Sequence, residues 1–162
     1  MNTTDEKLAR RVLTDPVHFL AFGFGAGLAP VAPGTVGSLL GVLLAWLTLD
    51  LSLSIRLAVL LGLVAAGIWL CGESARRIGV HDHGGIVWDE IAGMYATLLV
   101  AAPGIAAWGL GFVLFRVFDI VKPWPIRDLD HRLGGGAGIM LDDLVAALYA
   151  ALLLALHRWL MT

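Results

Sequence analysis

Apolar and polar positions along this chain separate into long greasy runs joined by short polar blocks. The apolar runs cover roughly 36–49, 57–71, 91–102, 105–118 and 144–156. They are rich in Leu, Ala, Val and Gly and lack two-residue alternation, so the pattern predicts helices. Each is shorter than the roughly 20 residues that comfortably cross a bilayer, although neighbouring residues extend some of them. The expected fold is all-α: a polytopic helical membrane protein of four to five apolar helices, forming one domain over 1–162. Residues 1–16 are polar and carry Lys7, Arg10 and Arg11. Without an apolar core and a small-residue cleavage site they do not read as a secretory signal peptide. They are expected to be a cytosolic lead-in with a short amphipathic helix.

Pro103-Gly104 sets the topology. As a turn, it makes 91–118 a helical hairpin whose two ends return to one side. As a kink, it makes one long span and puts Asp89 and Asp119 on opposite sides. Pro-Gly is a strong turn signal, while membrane helices also tolerate proline kinks. Charge favours the hairpin. With it, one face collects Lys7, Arg10, Arg11, Arg76, Arg77, Arg116, Lys122, Arg127 and Arg132, and the other only Arg56 and Arg158. The positive-inside rule then puts the polar blocks in the cytosol.

Composition agrees with a lipid-solvated chain. Hydrophobic residues make up 59% and charged residues 15% of the 162 residues, against about 45–50% and 25% in soluble domains. A net charge of −2 with no basic run argues against a nucleic-acid partner. A single cysteine, Cys71, excludes an intramolecular disulfide and a thiolate metal cage. Cys71 to Arg77 fits a Cys-x5-Arg phosphatase spacing, but that chemistry needs a cradled thiolate and Cys71 ends an apolar run. The match is read as coincidence.

Acidic residues stand at the ends of the apolar runs: Asp89 and Glu90 before the third, Asp119 after the fourth, Asp142 and Asp143 before the last. A carboxylate at a helix start can be a simple cap, favoured by the helix dipole. Adjacent acidic pairs at two such starts exceed what capping needs. Carboxylates are costly near lipid unless they line an internal or aqueous site, and their oxygens suit a hard divalent cation. Asp89, Glu90, Asp142 and Asp143 are the expected metal ligands, with Asp119 supporting or joining them.

Lys122 and Arg127 flank Pro123-Trp124-Pro125, a stiff segment that fixes where they project. They are candidates for binding phosphate beside a metal, or else interfacial anchors. Arg116, inside an apolar run, is expected to meet a carboxylate or a phosphate. Pro33-Gly34-Thr35 precedes an apolar run, so backbone amides and the Thr35 and Ser38 hydroxyls could hold a phosphate; a helix cap with close helix packing explains them equally well. Gly23 to Leu28 matches no dinucleotide fingerprint, and no Gly-Lys pair makes a Walker A loop. His81 and His83 could relay protons, although lone surface histidines are common.

Taken together, Gly23-Phe24-Gly25 through Ser38, Gly79 through Glu90, Phe115-Arg116 through Asp119, Lys122 through Arg127 and Gly134 through Asp143 resemble the phosphatidylglycerophosphatase A family of bacterial membrane lipid phosphatases. The resemblance spans roughly 20–150 in the right order. Neither the Lys/Arg–His blocks of the other lipid phosphatase class nor the Asp-x-Asp of haloacid dehalogenases is visible. The resemblance implies Mg²⁺-dependent hydrolysis of phosphatidylglycerophosphate to phosphatidylglycerol and phosphate at the cytoplasmic (inner) membrane. Asp89, Asp119, Asp143 and His81 or His83 would then serve catalysis, while Lys122, Arg127, Arg116, Thr35 and Ser38 hold phosphate. A metal-activated water is the preferred nucleophile, with an aspartyl-phosphate as the alternative. The rivals are a divalent-cation transporter using the same carboxylates, and a structural membrane subunit in which they are caps and anchors.

Overall fold

The computed structural model describes residues 3–80, 83–124 and 134–161. Among them the chain is all-α, with seven α-helices and no strand. They are α1 (Thr3–Thr14), α2 (Pro16–Ala21), α3 (Pro33–Leu47), α4 (Leu53–Ile78), α5 (Trp88–Leu98), α6 (Ile105–Val121) and α7 (Gly135–Met161). All five expected apolar helices are present, and α1 is the expected amphipathic lead-in.

Local chemistry explains most boundaries. Asp15 caps α2 by accepting the Val17 amide at 2.9 Å, with Pro16 in the first turn where its missing N–H is harmless. Ser52 caps α4, and Gly79 ends it in the left-handed conformation at φ 85°, after Arg76 and Arg77 in the last turn. The 99–104 stretch turns the chain between α5 and α6, with Gly104 at φ 139°. Pro103-Gly104 is therefore a turn. Glu90 at the start of α5 lies 3.9 Å from Arg116 near the end of α6, so both ends of the hairpin return to one end of the bundle.

Helix α5 is the central element. It packs against α3, α4, α6 and α7, and its residues Ile91 to Tyr95, Thr97 and Leu98 are buried. At 11 residues it is about 16 Å long, a length suited to a core helix enclosed by others rather than to a span. Among the described residues, only α4 and α7 are long and apolar enough to cross a membrane. The expectation of four to five helices holds for helices; two of them have spanning length.

Small residues set how closely these helices approach. A Cβ on Gly41 would meet the Ile91 carbonyl at 2.7 Å, and one on Gly93 the Asp143 carbonyl at 3.0 Å. Gly136 sits directly on the backbone of Ile68 and Gly72, locking α7 to α4. Such contacts are how helices associate when lipid offers no hydrophobic drive between them. The outward surface is correspondingly apolar: Trp46, Leu61, Trp69, Ile105, Leu152 and Trp159 are all exposed. On the α2 side, His18 is buried and shares a 2.8 Å hydrogen bond with Ser74 of α4. Burial holds its imidazole below the ordinary histidine range, toward the neutral form.

Two glycine substitutions test this packing. Gly136→Val drives a side chain into backbone that cannot move aside, and is expected to destabilise the protein by about 1–3 kcal/mol. Gly62→Ala, in the exposed face of α4 with open space around it, is expected to be neutral or stabilising by up to about 1 kcal/mol. Thermal melts in detergent measure both, and equal melting temperatures for the two variants would remove the α4–α7 contact from the account.

Candidate active site

The acidic blocks meet at one end of the bundle. Oxygens of Asp89 and Glu90, from the first turn of α5, and of Asp143, from α7, all lie within 4.8 Å of one another. Asp89 and Asp143 are buried, and Glu90 nearly so. Asp119 lies within hydrogen-bonding reach of Asp143, as Asp89 does of Glu90. Four carboxyl groups from three helices thus share one small volume.

The helix dipole favours Asp89 and Glu90 where they stand, but capping does not explain the other acids. Asp142 and Asp143 were expected to open the last helix, but α7 begins at Gly135 and places them about two turns inside it. Asp119 lies in the last turn of α6, where the helix dipole disfavours a negative charge. The N-cap of α5 is Val87, which makes no side-chain capping bond. What assembles the cluster is close backbone approach. Gly93, one turn beyond Asp89, lets α7 press against α5 at the level of Asp143. Gly34, at the start of α3, lies directly on the Glu90 carboxylate and beside Arg116.

The expected cations divide. Arg116 pairs with Asp119, stands 3.9 Å from Glu90 and donates to the Ser38 hydroxyl at 3.5 Å. Ser38 is fully buried and donates its own proton to the Gly34 carbonyl at 2.9 Å, so it positions Arg116 rather than facing a ligand. Lys122 forms a 2.7 Å ion pair with Asp142, which sets Asp142 apart from the trio. The Lys122 backbone is left-handed, at φ 44°. For a lysine that conformation is strained, and it folds the side chain back from the end of α6 toward α7. Thr35 is half-buried in the first turn of α3, whose Thr35 and Val36 amides already donate to the Ala32 carbonyl at 2.9 and 3.3 Å. That leaves less of the turn for an anion than the sequence suggests.

His83 is not brought into the cluster. Its Nδ1 accepts the Gly85 amide at 3.1 Å, so the neutral ring carries its hydrogen on Nε2. It lines a neighbouring cavity of about 480 Å³ that reaches Pro33 but, among the described residues, no carboxylate. His81 and Arg127 lie outside the described residues. Cys71 is fully buried in the core.

The donor set fits a hard divalent cation. Glu90 Oε2 and Asp143 Oδ2 are buried without a hydrogen-bond partner, and such groups are expensive unless something compensates them. Three carboxylate oxygens in mutual reach are the donors that magnesium prefers.

The phosphatidylglycerophosphatase A family model matches residues 19–158. The chain belongs to the phosphatidylglycerophosphatase A family. It is 44% identical to phosphatidylglycerophosphatase A of Escherichia coli K12 over 96% of this chain and 92% of that one. It is 43% identical to the phosphatidylglycerophosphatase A of Haemophilus influenzae, over 98% and 99%. A Bacteroides thetaiotaomicron protein provisionally named a phosphatidylinositol-3-phosphatase is 37% identical over 85% and 90%. No solved structure matches the chain. As a member of the phosphatidylglycerophosphatase A family it is a lipid phosphatase, and the family match takes in every residue of the cluster. Its two long apolar helices are consistent with a membrane protein.

The cluster makes a prediction opposite in sign to a structural role. With divalent ions chelated, Asp143→Asn relieves repulsion and is expected to stabilise the fold by about 0.5–2 kcal/mol, the gain typical where function holds a site under strain. A lowered melting temperature in chelator would show that Asp143 serves packing instead.

Proposed function

We propose that this chain hydrolyses phosphatidylglycerophosphate to phosphatidylglycerol and inorganic phosphate, using Mg²⁺ held by Asp89, Glu90 and Asp143. The observation that carries this reading is the convergence of those three carboxylates within 4.8 Å, beside the Arg116 guanidinium. Bound there, Mg²⁺ would supply Lewis-acid polarisation of the phosphomonoester and offset its charge. Arg116, held by Asp119 and Ser38, is the cation placed to bind the phosphate oxygens. Asp119, outside the metal trio yet beside Asp143, would take the proton of the attacking water and return it to the departing glycerol oxygen. Lys122 keeps Asp142 neutralised at the edge of the site and is available to the leaving phosphate when that pair opens. Burial makes each of these charges act more strongly than it would in water.

Topology supports the same reading. Lys7, Arg10, Arg11, Arg76, Arg77, Arg116 and Lys122 gather at the carboxylate end of the bundle. Arg56 and Arg158 belong to the other. By the positive-inside rule the site end faces the cytosol, at the inner membrane, where the headgroup of the lipid lies. A cation transporter would need carboxylates near the middle of the bilayer.

Purified protein in detergent is expected to release phosphate from phosphatidylglycerophosphate with Mg²⁺ and to stop when a chelator is added. Asp119→Asn is expected to lower kcat about 10²–10⁴-fold, the usual worth of a positioned acid–base group. Full turnover in excess chelator would reject the metal mechanism. Faster release from a phosphatidylinositol phosphate would reassign the substrate.

A further inference from the structure

A second feature at the same end of the bundle has the opposite charge. An open cavity of about 640 Å³ lies between α1 and the C-terminal end of α4. Lys7, Arg10, Arg11 and His83 line it together with apolar Leu8 and Val80. No described carboxylate does. It shares Leu8 and His83 with the 480 Å³ cavity that reaches Pro33, whose neighbour Gly34 abuts Glu90 and Arg116. The two cavities are thus neighbours, and the second ends beside the residue that abuts the acidic site.

Exposed apolar side chains accompany these cations: Val80 on the cavity wall, and Leu13 on α1, three residues from Arg10. Val12 of the same helix is fully buried and fixes α1 against the bundle. Cations interleaved with exposed apolar side chains on a docked amphipathic helix are the surface of an element lying at a lipid interface. A soluble anion would need only the charges. A lipid headgroup uses both.

We propose that the basic cavity between α1 and the end of α4 binds the phosphodiester headgroup of an anionic phospholipid, beside the carboxylate cluster and separate from it. It rests on the membrane reading above. Its consequence is electrostatic: a site crowded with carboxylates repels anionic lipids, and a cationic collar offsets that repulsion and keeps them at the entrance.

Native mass spectrometry of the full chain in neutral detergent, with added phosphatidylserine or phosphatidylcholine, tests this without any hydrolysis assay. It therefore stands or falls independently of the proposed reaction. Wild type is expected to retain phosphatidylserine over phosphatidylcholine. The K7Q/R10Q/R11Q variant is expected to bind phosphatidylserine about tenfold or more weakly, since each cation near an anionic surface contributes about 1 kcal/mol. Circular dichroism checks its fold. Should the variant misfold, raised salt on wild type must still weaken phosphatidylserine retention and spare phosphatidylcholine. Equal retention of the two lipids by wild type, or of phosphatidylserine by wild type and variant, overturns the proposal. Displacement of the lipid by inorganic phosphate alone overturns it too, in favour of a free-phosphate site.

Discussion

Mutual repulsion of buried carboxylates is the constraint around which this structure is organised. Asp89, Glu90, Asp119 and Asp143 occupy one small volume, with Arg116 as the guanidinium among them. Lys122 is already engaged with Asp142. Like charges at such separations, in a medium less polarisable than water, oppose folding by several kcal/mol unless protons or a cation neutralise them. Two carboxylate oxygens are left without hydrogen-bond partners, so hydrogen bonding does not complete the compensation. Neutralising that charge is thus a requirement the fold must meet.

The architecture reads as the means of holding that arrangement against its own repulsion. A short α5 is wrapped by α3, α4, α6 and α7, so the first turn of one helix can be approached from several sides. Glycines at 34 and 93 remove the side chains that would hold α3 and α7 away from it. Gly136 fixes α7 against α4 a few turns from Asp143, on a contact that leaves no room for slip. The left-handed Lys122 and the fully buried Ser38 then aim the two cations, one onto Asp142 and one among the remaining acids. Rigid helices thus supply the described carboxylates and Arg116, with Lys122 at the cap just beyond α6, which suits a task that depends on position.

Much of this was legible in the chain itself. The five apolar runs, the Pro103-Gly104 turn and the convergence of Asp89 with Asp119 follow from hydropathy, turn chemistry and charge distribution. The start of α7 was not legible, because Gly134 to Gly138 reads as a breaker. In the folded chain Gly136 packs against the backbone of Ile68 and Gly72, a tertiary contact that local sequence does not reveal. The same misplacement made Asp142 and Asp143 look equivalent. Inside a helix, adjacent residues point about 100° apart, so one joins the cluster and the other meets Lys122. Hydropathy alone does not give the number of spans, because a run of apolar residues does not distinguish a lipid-facing helix from one enclosed by protein, as α5 is. The roles of Gly34 and Gly93 had a faint signal, a small residue beside or one turn from an acid, that only tertiary packing makes meaningful.

Direct cation binding reaches the central claim most closely. Mn²⁺, an oxygen-preferring stand-in for Mg²⁺, can be titrated into the purified wild type and the Asp143→Asn variant and followed by paramagnetic resonance. Wild type is predicted to take up Mn²⁺ at a site from which Mg²⁺ displaces it, with affinity falling at least about tenfold in the variant. Equal uptake by both proteins, or none by wild type, would contradict the view that these buried acids are gathered around a shared ion.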